Sequence, residues 1–256
     1  MELTAYSISF NIKCSDVFVL FTSCTKWRPV STATASIRVS VEIVALTLVD
    51  GALCVLLEAR ERAPFKGRLA LPGGTIDPGR DESAEGCALR VLREKLGPSA
   101  AYLEQLRTFS GATRDPRGWA LALCYLALWR FEASALAGSG GLRAVPVRGS
   151  APLALPFDQR DMLEGAVGRL ASKSTYSSLP CYLAAETFTR PQLQSIYETL
   201  RGERIHRAKF NKRLAEMEIL EVARAPDGPA PEGRPPQYYR LKQKFRRTPM
   251  LLERTF

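Results

Sequence analysis

Residues Leu71–Gly97 read LPGGTIDPGRDESAEGCALRVLREKLG. A strand-like LALP runs into Gly73-Gly74, a loop follows, and a helix is expected from about Glu82 to Leu96, stopped by Gly97 with Pro98 behind it. Backbone N–H groups at a glycine turn and at a helix N-terminus can face anionic oxygens with no side chain in the way, which is phosphate-handling chemistry. A bare Gly-Gly is more often only a turn, so the flanking sequence must decide. At α-helical pitch Val91, Glu94 and Lys95 share one face, which then carries an apolar group, a carboxylate and an ammonium. Magnesium prefers octahedral oxygen ligation by carboxylates and substrate phosphates, so no metal site is expected. Lys95 either neutralises a phosphate directly or is a solvated charge beside Glu94.

Upstream, Val39–Val49 and Ala52–Glu58 are rich in β-branched residues and flank Asp50-Gly51, the signature of a type I′ hairpin. Downstream, Trp119–Phe131 reads as a buried strand and Leu142–Val147 as a short one. A helix with Asp158 as N-cap then presents Met162, Leu163, Ala166 and Leu170 on one side. Arg114 and Arg117, in RDPRGW, bring two guanidinium forks that match phosphate geometry or simply make a charged turn. Phe65 and Arg68 sit where they either close over a base or ribose or pack locally.

A domain boundary is expected near Ser172–Ser178. Beyond it, FTRPQLQSIYETLRG has Thr189 three residues before Gln192, Pro191 in the first turn, and apolar Leu193, Ile196, Tyr197 and Leu200 before Gly202. HRAKFNKRLAEMEIL follows after a turn of about five residues, with Phe210, Leu214 and Met217 inward and Arg207, Lys209, Asn211, Lys212 and Arg213 outward. The stretch EVARAPDGPAPEGRPPQYYRL reads as a β-ribbon, completing helix-turn-helix plus wing. Of the formal net charge of +10, +7 lies between Arg201 and Arg247, where 13 Lys and Arg face 6 Asp and Glu. A regional excess of this kind suits a polyanionic partner, and the KQKFRR run adds to it.

The totals exclude other schemes. The 46% hydrophobic and 24% charged composition over 256 residues is that of a globular protein with room for two small cores. Six cysteines (Cys14, Cys24, Cys54, Cys87, Cys124, Cys181) form no CxxC pair, so reduced packing residues are expected in place of bridges or zinc ligands. His206 is the only histidine, which removes most Ser-His-Asp and His-metal chemistry. The early apolar run Val17–Phe21 is far too short to span a bilayer. The first ~35 residues lack periodicity and read as a loosely attached leader or an overextended translation start.

The opening stretch resembles the Nudix box: a glycine, a glutamate, then RE-x-x-EE and a final glycine. Arg90 takes the arginine place, Val91 the first glutamate, Glu94 and Lys95 the glutamate pair, and Gly97 the last glycine. Glu82 meets the earlier glutamate only with two residues inserted after Asp77-Pro78. Together with FDQRDML, KSTYSSLPCYL, FTRPQLQSIYE, RIHRAKFNKRL and GRPPQYYRL, from about Val39 to Leu241, the chain resembles the Nudix-related transcriptional regulators of NAD metabolism.

That resemblance implies an α/β fold, a Nudix-like α/β/α sandwich with a mixed sheet followed by a winged helix-turn-helix domain. The divisions are a leader 1–38, an effector domain 39–172, a DNA-binding domain 173–247 and a tail 248–256. It further implies a cytoplasmic homodimer on operator DNA, without membrane attachment, with ADP-ribose or a related nucleotide as effector. The effector contacts would be Gly73, Gly74, Arg90, Glu94, Lys95, Arg114 and Arg117, with Glu82 and Glu94 as vestiges of catalysis. DNA contacts would come from Arg207, Lys209, Asn211, Lys212, Arg213 and Arg234, the last in the wing. No cofactor is required on this reading, and Mg²⁺ enters only if the chain hydrolyses. The alternatives are a divergent Nudix hydrolase of ADP-ribose or another nucleoside diphosphate derivative, and a winged helix that binds protein.

Overall fold

The computed structural model describes residues 37–97, 100–130, 141–149, 153–226 and 235–251. The expected leader, but for its last two residues, and Arg234 lie outside them. β1 (Arg38–Val49) and β2 (Ala52–Ala59) form the hairpin read from Asp50-Gly51, and both turn residues have positive φ, 50° and 78°, as a type I′ turn requires. β1 also pairs in parallel with β6 (Ala120–Trp129), which pairs antiparallel with β5 (Ala100–Gly111). Short β3 (Leu69–Ala70) and β7 (Arg143–Pro146) join β2, and β4 (Gly73–Thr75) joins β1. The result is a seven-stranded mixed sheet with the path β3-β2-β1-β6-β5.

Strand residues alternate between two cores, as a period of two demands. Val41, Ile43, Ala45, Leu56, Tyr125 and Ala127 pack on α1 (Ala84–Val91) through Cys87, Ala88 and Val91. Val44, Leu46, Val55, Leu57, Leu126 and Leu128 pack on α2 (Gln159–Ser174) through Met162, Leu163, Ala166 and Leu170. The sheet is thus covered on both faces, and Cys54, Cys87, Cys124 and Cys181 are buried free thiols within it or beside it.

The helix after the glycine loop differs from the expected single α-helix. Ser83 caps α1 by accepting from Gly86 N, and Leu92–Leu96 form a π-helical turn that ends at Gly97, φ 77°. In a π turn the backbone bonds span five residues. Val91 is buried, Glu94 turns to Arg80 and Arg90, and Lys95 turns to Glu58. Asp158 is likewise no side-chain cap for α2; its carboxylate turns to Arg114.

In the second half, β8 (Phe188–Thr189) leads into α3 (Arg190–Arg201), where Thr189 and Gln192 make the expected capping box and Gly202 terminates at φ 71°. α4 (Arg207–Met217) buries Phe210, Leu214 and Met217. The turn between the helices is held by Glu198, which accepts from Ile205 N at 2.9 Å, and by Gln194, which donates to Ile205 O at 2.7 Å. β9 (Leu220–Ala223) and β10 (Tyr238–Leu241) complete a three-stranded sheet ordered β8-β10-β9. No slack segment separates the halves near Ser172–Ser178: α2 runs through Ser174, and one apolar cluster holds α2 together with Leu179, Tyr182, Leu183 and Leu200. Past Arg247 the chain remains attached, since Ser178 N donates to Met250 O and Met250 N to Ser178 Oγ. No helix of the described residues is long and apolar enough to cross a membrane.

Candidate functional site

Gly73 and Gly74 are strand residues paired with Glu42 and Val41 of β1, so the two glycines form a close approach and not the phosphate-wrapping turn expected of them. A Cβ on Gly73 would lie 2.6 Å from Glu42 Oε2 and 2.8 Å from the Val41 carbonyl, and one on Gly74 would lie 2.8 Å from Val91 Cγ2. Val91, buried at 1% exposure, thus fills the space beneath the glycine strand. It occupies the helix position where the Nudix pattern has a metal-binding glutamate.

The loop between β4 and α1 is held by Asp81, a residue with no signal in the sequence pattern. Its carboxylate accepts from Arg90 Nε at 2.7 Å and Nη2 at 2.8 Å, and from Asp77 N at 2.9 Å. Hydrogen bonding from Arg90 holds the Asp81 carboxyl far below its usual range. Arg90 also reaches Thr75 O and Glu94, so its guanidinium braces the loop and is committed within the chain, in place of the effector contact assigned to it. Glu94 is bound by Arg80 at 2.7 Å and by Arg90 at 3.4 Å, and these partners, Arg80 foremost, keep it ionised below the ordinary glutamate range. Lys95 pairs with Glu58 of β2. Glu82 is exposed.

A Nudix fold implies Mg²⁺ on this helix, but the residues present do not fit it. The three positions carry a buried methyl group, a carboxylate neutralised by two arginines, and an ammonium. Among the described residues no three His, Cys, Asp or Glu side chains converge as a metal site.

A different cluster gathers on the other side of the glycine strand. Gln159, the first residue of α2 and fully buried, accepts from Leu71 N at 2.9 Å and donates to Glu42 Oε2 at 3.0 Å. Desolvation pushes Glu42 up from 4.5 to about 7, opposed by the charges of Arg114, Arg60 and Lys95. Arg114 holds Asp158 through Nε at 3.0 Å and Nη2 at 2.9 Å, and Arg117 holds Asp115 at 2.9 and 2.7 Å. Four cations, Arg60, Lys95, Arg114 and Arg117, therefore bear on Glu42. The four carboxylates Glu42, Glu58, Asp115 and Asp158 balance them, so protonating Glu42 leaves the cluster one charge positive.

Beside it, Phe65 and Phe157 meet edge to face at 4.9 Å, with Arg68 over the first ring and Arg60 over the second. Both phenylalanines have positive φ, 64° and 57°, a conformation costing bulky residues on the order of 1–3 kcal/mol and often kept at ligand sites. Of the expected effector residues, Gly73, Lys95, Arg114 and Arg117 border this cluster; Arg90 and Glu94 belong to the loop brace, and Gly74 packs over Val91. Glu42, Gln159 and Phe157 escape sequence reasoning. A lone acidic residue in a strand and a glutamine at a helix start carry no pattern until the fold brings them together.

On α4, Arg207, Lys209 and Lys212 are exposed and Asn211 is half-buried. Arg213 is also exposed and donates to Thr175 O at 2.5 Å, at the C-terminus of α2. His206 occupies the N-cap of α4 without a side-chain capping bond.

The model of the NUDIX domain matches residues 37–145, and that of the NrtR DNA-binding winged helix domain matches residues 180–241. A protein of Acinetobacter baylyi, named ADPR responsive transcriptional repressor NtrR, is 36% identical over 184 residues, 71% of this chain and 74% of the relative. The crystal structure of Shewanella oneidensis NrtR complexed with a 27mer DNA is similar with a TM-score of 0.72 at 35% identity, covering 80% of this chain and 93% of that one. A further crystal structure of S. oneidensis NrtR gives a TM-score of 0.72 at 36% identity, covering 80% and 94%.

Proposed function

The chain belongs to the NrtR family, a Nudix domain joined to a DNA-binding winged helix, and on that premise we propose that it is a transcriptional repressor of NAD-metabolism genes that senses ADP-ribose or a closely related nucleotide. The observation that carries the reading is the union, in one chain, of a cluster of Arg60, Lys95, Arg114 and Arg117 around Glu42 with a winged helix whose α4 leaves Arg207, Lys209 and Lys212 exposed. The A. baylyi relative's name supports the effector and the sign of regulation. The DNA complex of S. oneidensis NrtR supports the partner.

In this reading the effector's diphosphate lies against Lys95, Arg114 and Arg117. A guanidinium has five N–H donors, so each arginine keeps donors beyond those its carboxylate occupies. The base lies near the Phe65–Phe157 pair. Arg207, Lys209, Asn211 and Lys212 face operator DNA with Arg234 in the wing, mixing phosphate contacts with base readers. The protein acts as a cytoplasmic homodimer, since two-fold half-sites suit paired winged helices, and requires no cofactor.

Calorimetry of the full chain with ADP-ribose, in EDTA and in Mg²⁺, tests the reading. Binding of equal strength in both, with the nucleotide recovered intact, is the expected result. Mg²⁺-dependent release of AMP, abolished by Glu94→Gln, makes the chain a divergent Nudix hydrolase instead.

A further inference from the structure

Both ends of α2 are engaged. At its start Phe157 packs on Phe65, Asp158 holds Arg114, and Gln159 joins Leu71 N to Glu42. At its end Thr175 O accepts from Arg213 of α4, and Ser177 O, just beyond, accepts from the Tyr197 hydroxyl of α3 at 3.0 Å. Between them Met162, Leu163, Ala166 and Leu170 are locked into the sheet core. Sixteen residues of α-helix span about 24 Å, and a close-packed interior transmits a displacement along such an element with little absorption.

Arg213 is also chemically suited to that place. The last carbonyls of a helix lack intrahelical donors and carry the negative end of its dipole, so a cation there is favoured. Arg213 is exposed, as are its neighbours Lys209 and Lys212 on α4, but its Nη2 is bonded to Thr175 O and is not free for a base edge.

We infer that α2 relays the state of the nucleotide cleft to the DNA-reading helix, and that Arg213 is the latch between them and not a base contact. A nucleotide that draws Arg114 from Asp158, or disturbs the Gln159–Glu42 bond, shifts the start of α2, and its end turns α4 through Arg213. The inference rests on the cleft being the effector site.

The test uses the full chain and a fluorescein-labelled duplex from upstream of an NAD-synthesis gene of its own genome, with operator Kd read by anisotropy with and without saturating ADP-ribose. In wild type the nucleotide should weaken operator binding by about 5–150-fold, the usual range of allosteric coupling. Arg213→Gln should shrink that ratio to about twofold or less while changing the nucleotide-free Kd by about threefold at most. Lys209→Gln, a phosphate-contact comparator, should weaken binding equally in both conditions. An Arg213→Gln protein that loses affinity about tenfold or more in both conditions, with the ratio intact, overturns the latch and restores a base contact.

A second measurement does not depend on the nucleotide. In a double-mutant cycle of Gln159→Leu and Arg213→Gln on operator affinity, a relay gives a non-additive factor of about fivefold or more. Independent sites this far apart agree within about twofold, and that outcome rejects the relay. Asp158→Asn replaces Gln159→Leu if the latter fails to fold. If ADP-ribose leaves wild-type operator binding unchanged, the functional reading falls, and the cycle alone decides the relay.

Discussion

Replacing Glu42 by Gln keeps the shape and the bond to Gln159 but removes the carboxyl on which the four cations of the cluster bear. Glu42 is drawn up from 4.5 to about 7 in the folded chain, chiefly by desolvation. Below pH 4.5 its carboxyl is protonated both folded and unfolded, so the stabilisation from holding that proton is complete. As pH rises through about 7 the folded group must ionise against the desolvation that raised it, and the stabilisation is lost. A tenfold difference in proton affinity between the folded and unfolded chain is worth about 1.4 kcal/mol. The rise from 4.5 to about 7 therefore sets a ceiling of ~3.5 kcal/mol on the loss between pH 4.5 and about 8. Urea unfolding of wild type and Glu42→Gln at pH 5, 6, 7 and 8 measures it. The variant should gain on wild type steadily across that range and be the more stable at pH 8. Parallel curves would refute the reasoning, because they would mean that Glu42 ionises as freely in the cleft as in water.

The same proton links to ligand. A diphosphate beside Glu42 favours the protonated carboxyl, so ADP-ribose should bind more tightly at pH 6 than at pH 8, with proton uptake at pH 7 to 8 read by calorimetry in two buffers; Glu42→Gln should abolish both. Gly73→Ala should cost about 1–3 kcal/mol in urea unfolding, because the Val41 carbonyl, 2.8 Å from the new Cβ, is backbone and cannot give way. Asp81→Asn removes the charged partner that holds Arg90 through two nitrogens and leaves it Thr75 O and Glu94, so it should lower the thermal midpoint by on the order of 5 °C, and limited proteolysis should then cut between Thr75 and Ser83. Arg207→Glu with Lys212→Glu should flatten the salt dependence of operator binding by about one unit of slope for each phosphate left without its cation.

Much of the architecture is legible where local chemistry and global fold agree. Asp50-Gly51 names its hairpin, Thr189 and Gln192 their capping box, and Phe210, Leu214 and Met217 the inner face of α4. β5 is not legible: Glu104, Gln105 and Arg107 interrupt the apolar alternation, and irregularities between Ala100 and Tyr102 and between Gln105 and Arg107 alter its register. The π-helical turn at Leu92–Leu96 is equally silent in sequence, as is the burial of Val91 while Glu94 and Lys95 find separate partners. At the site, residue type foretold cations near the glycine pair, though as a turn and not the strand it forms. Which of them bind each other was hidden, because Arg90 with Asp81, Lys95 with Glu58 and Arg114 with Asp158 meet only through the fold.

Nucleotide occupancy, without metal and without cleavage, is what governs the grip on DNA in this account. The most direct test is to titrate ADP-ribose, in EDTA, into the full chain bound to its labelled operator and to follow anisotropy. The expected result is release of the duplex at nucleotide concentrations matching the calorimetric Kd, with the ADP-ribose intact afterwards. Release that appears only when Mg²⁺ is supplied and AMP accumulates would contradict it.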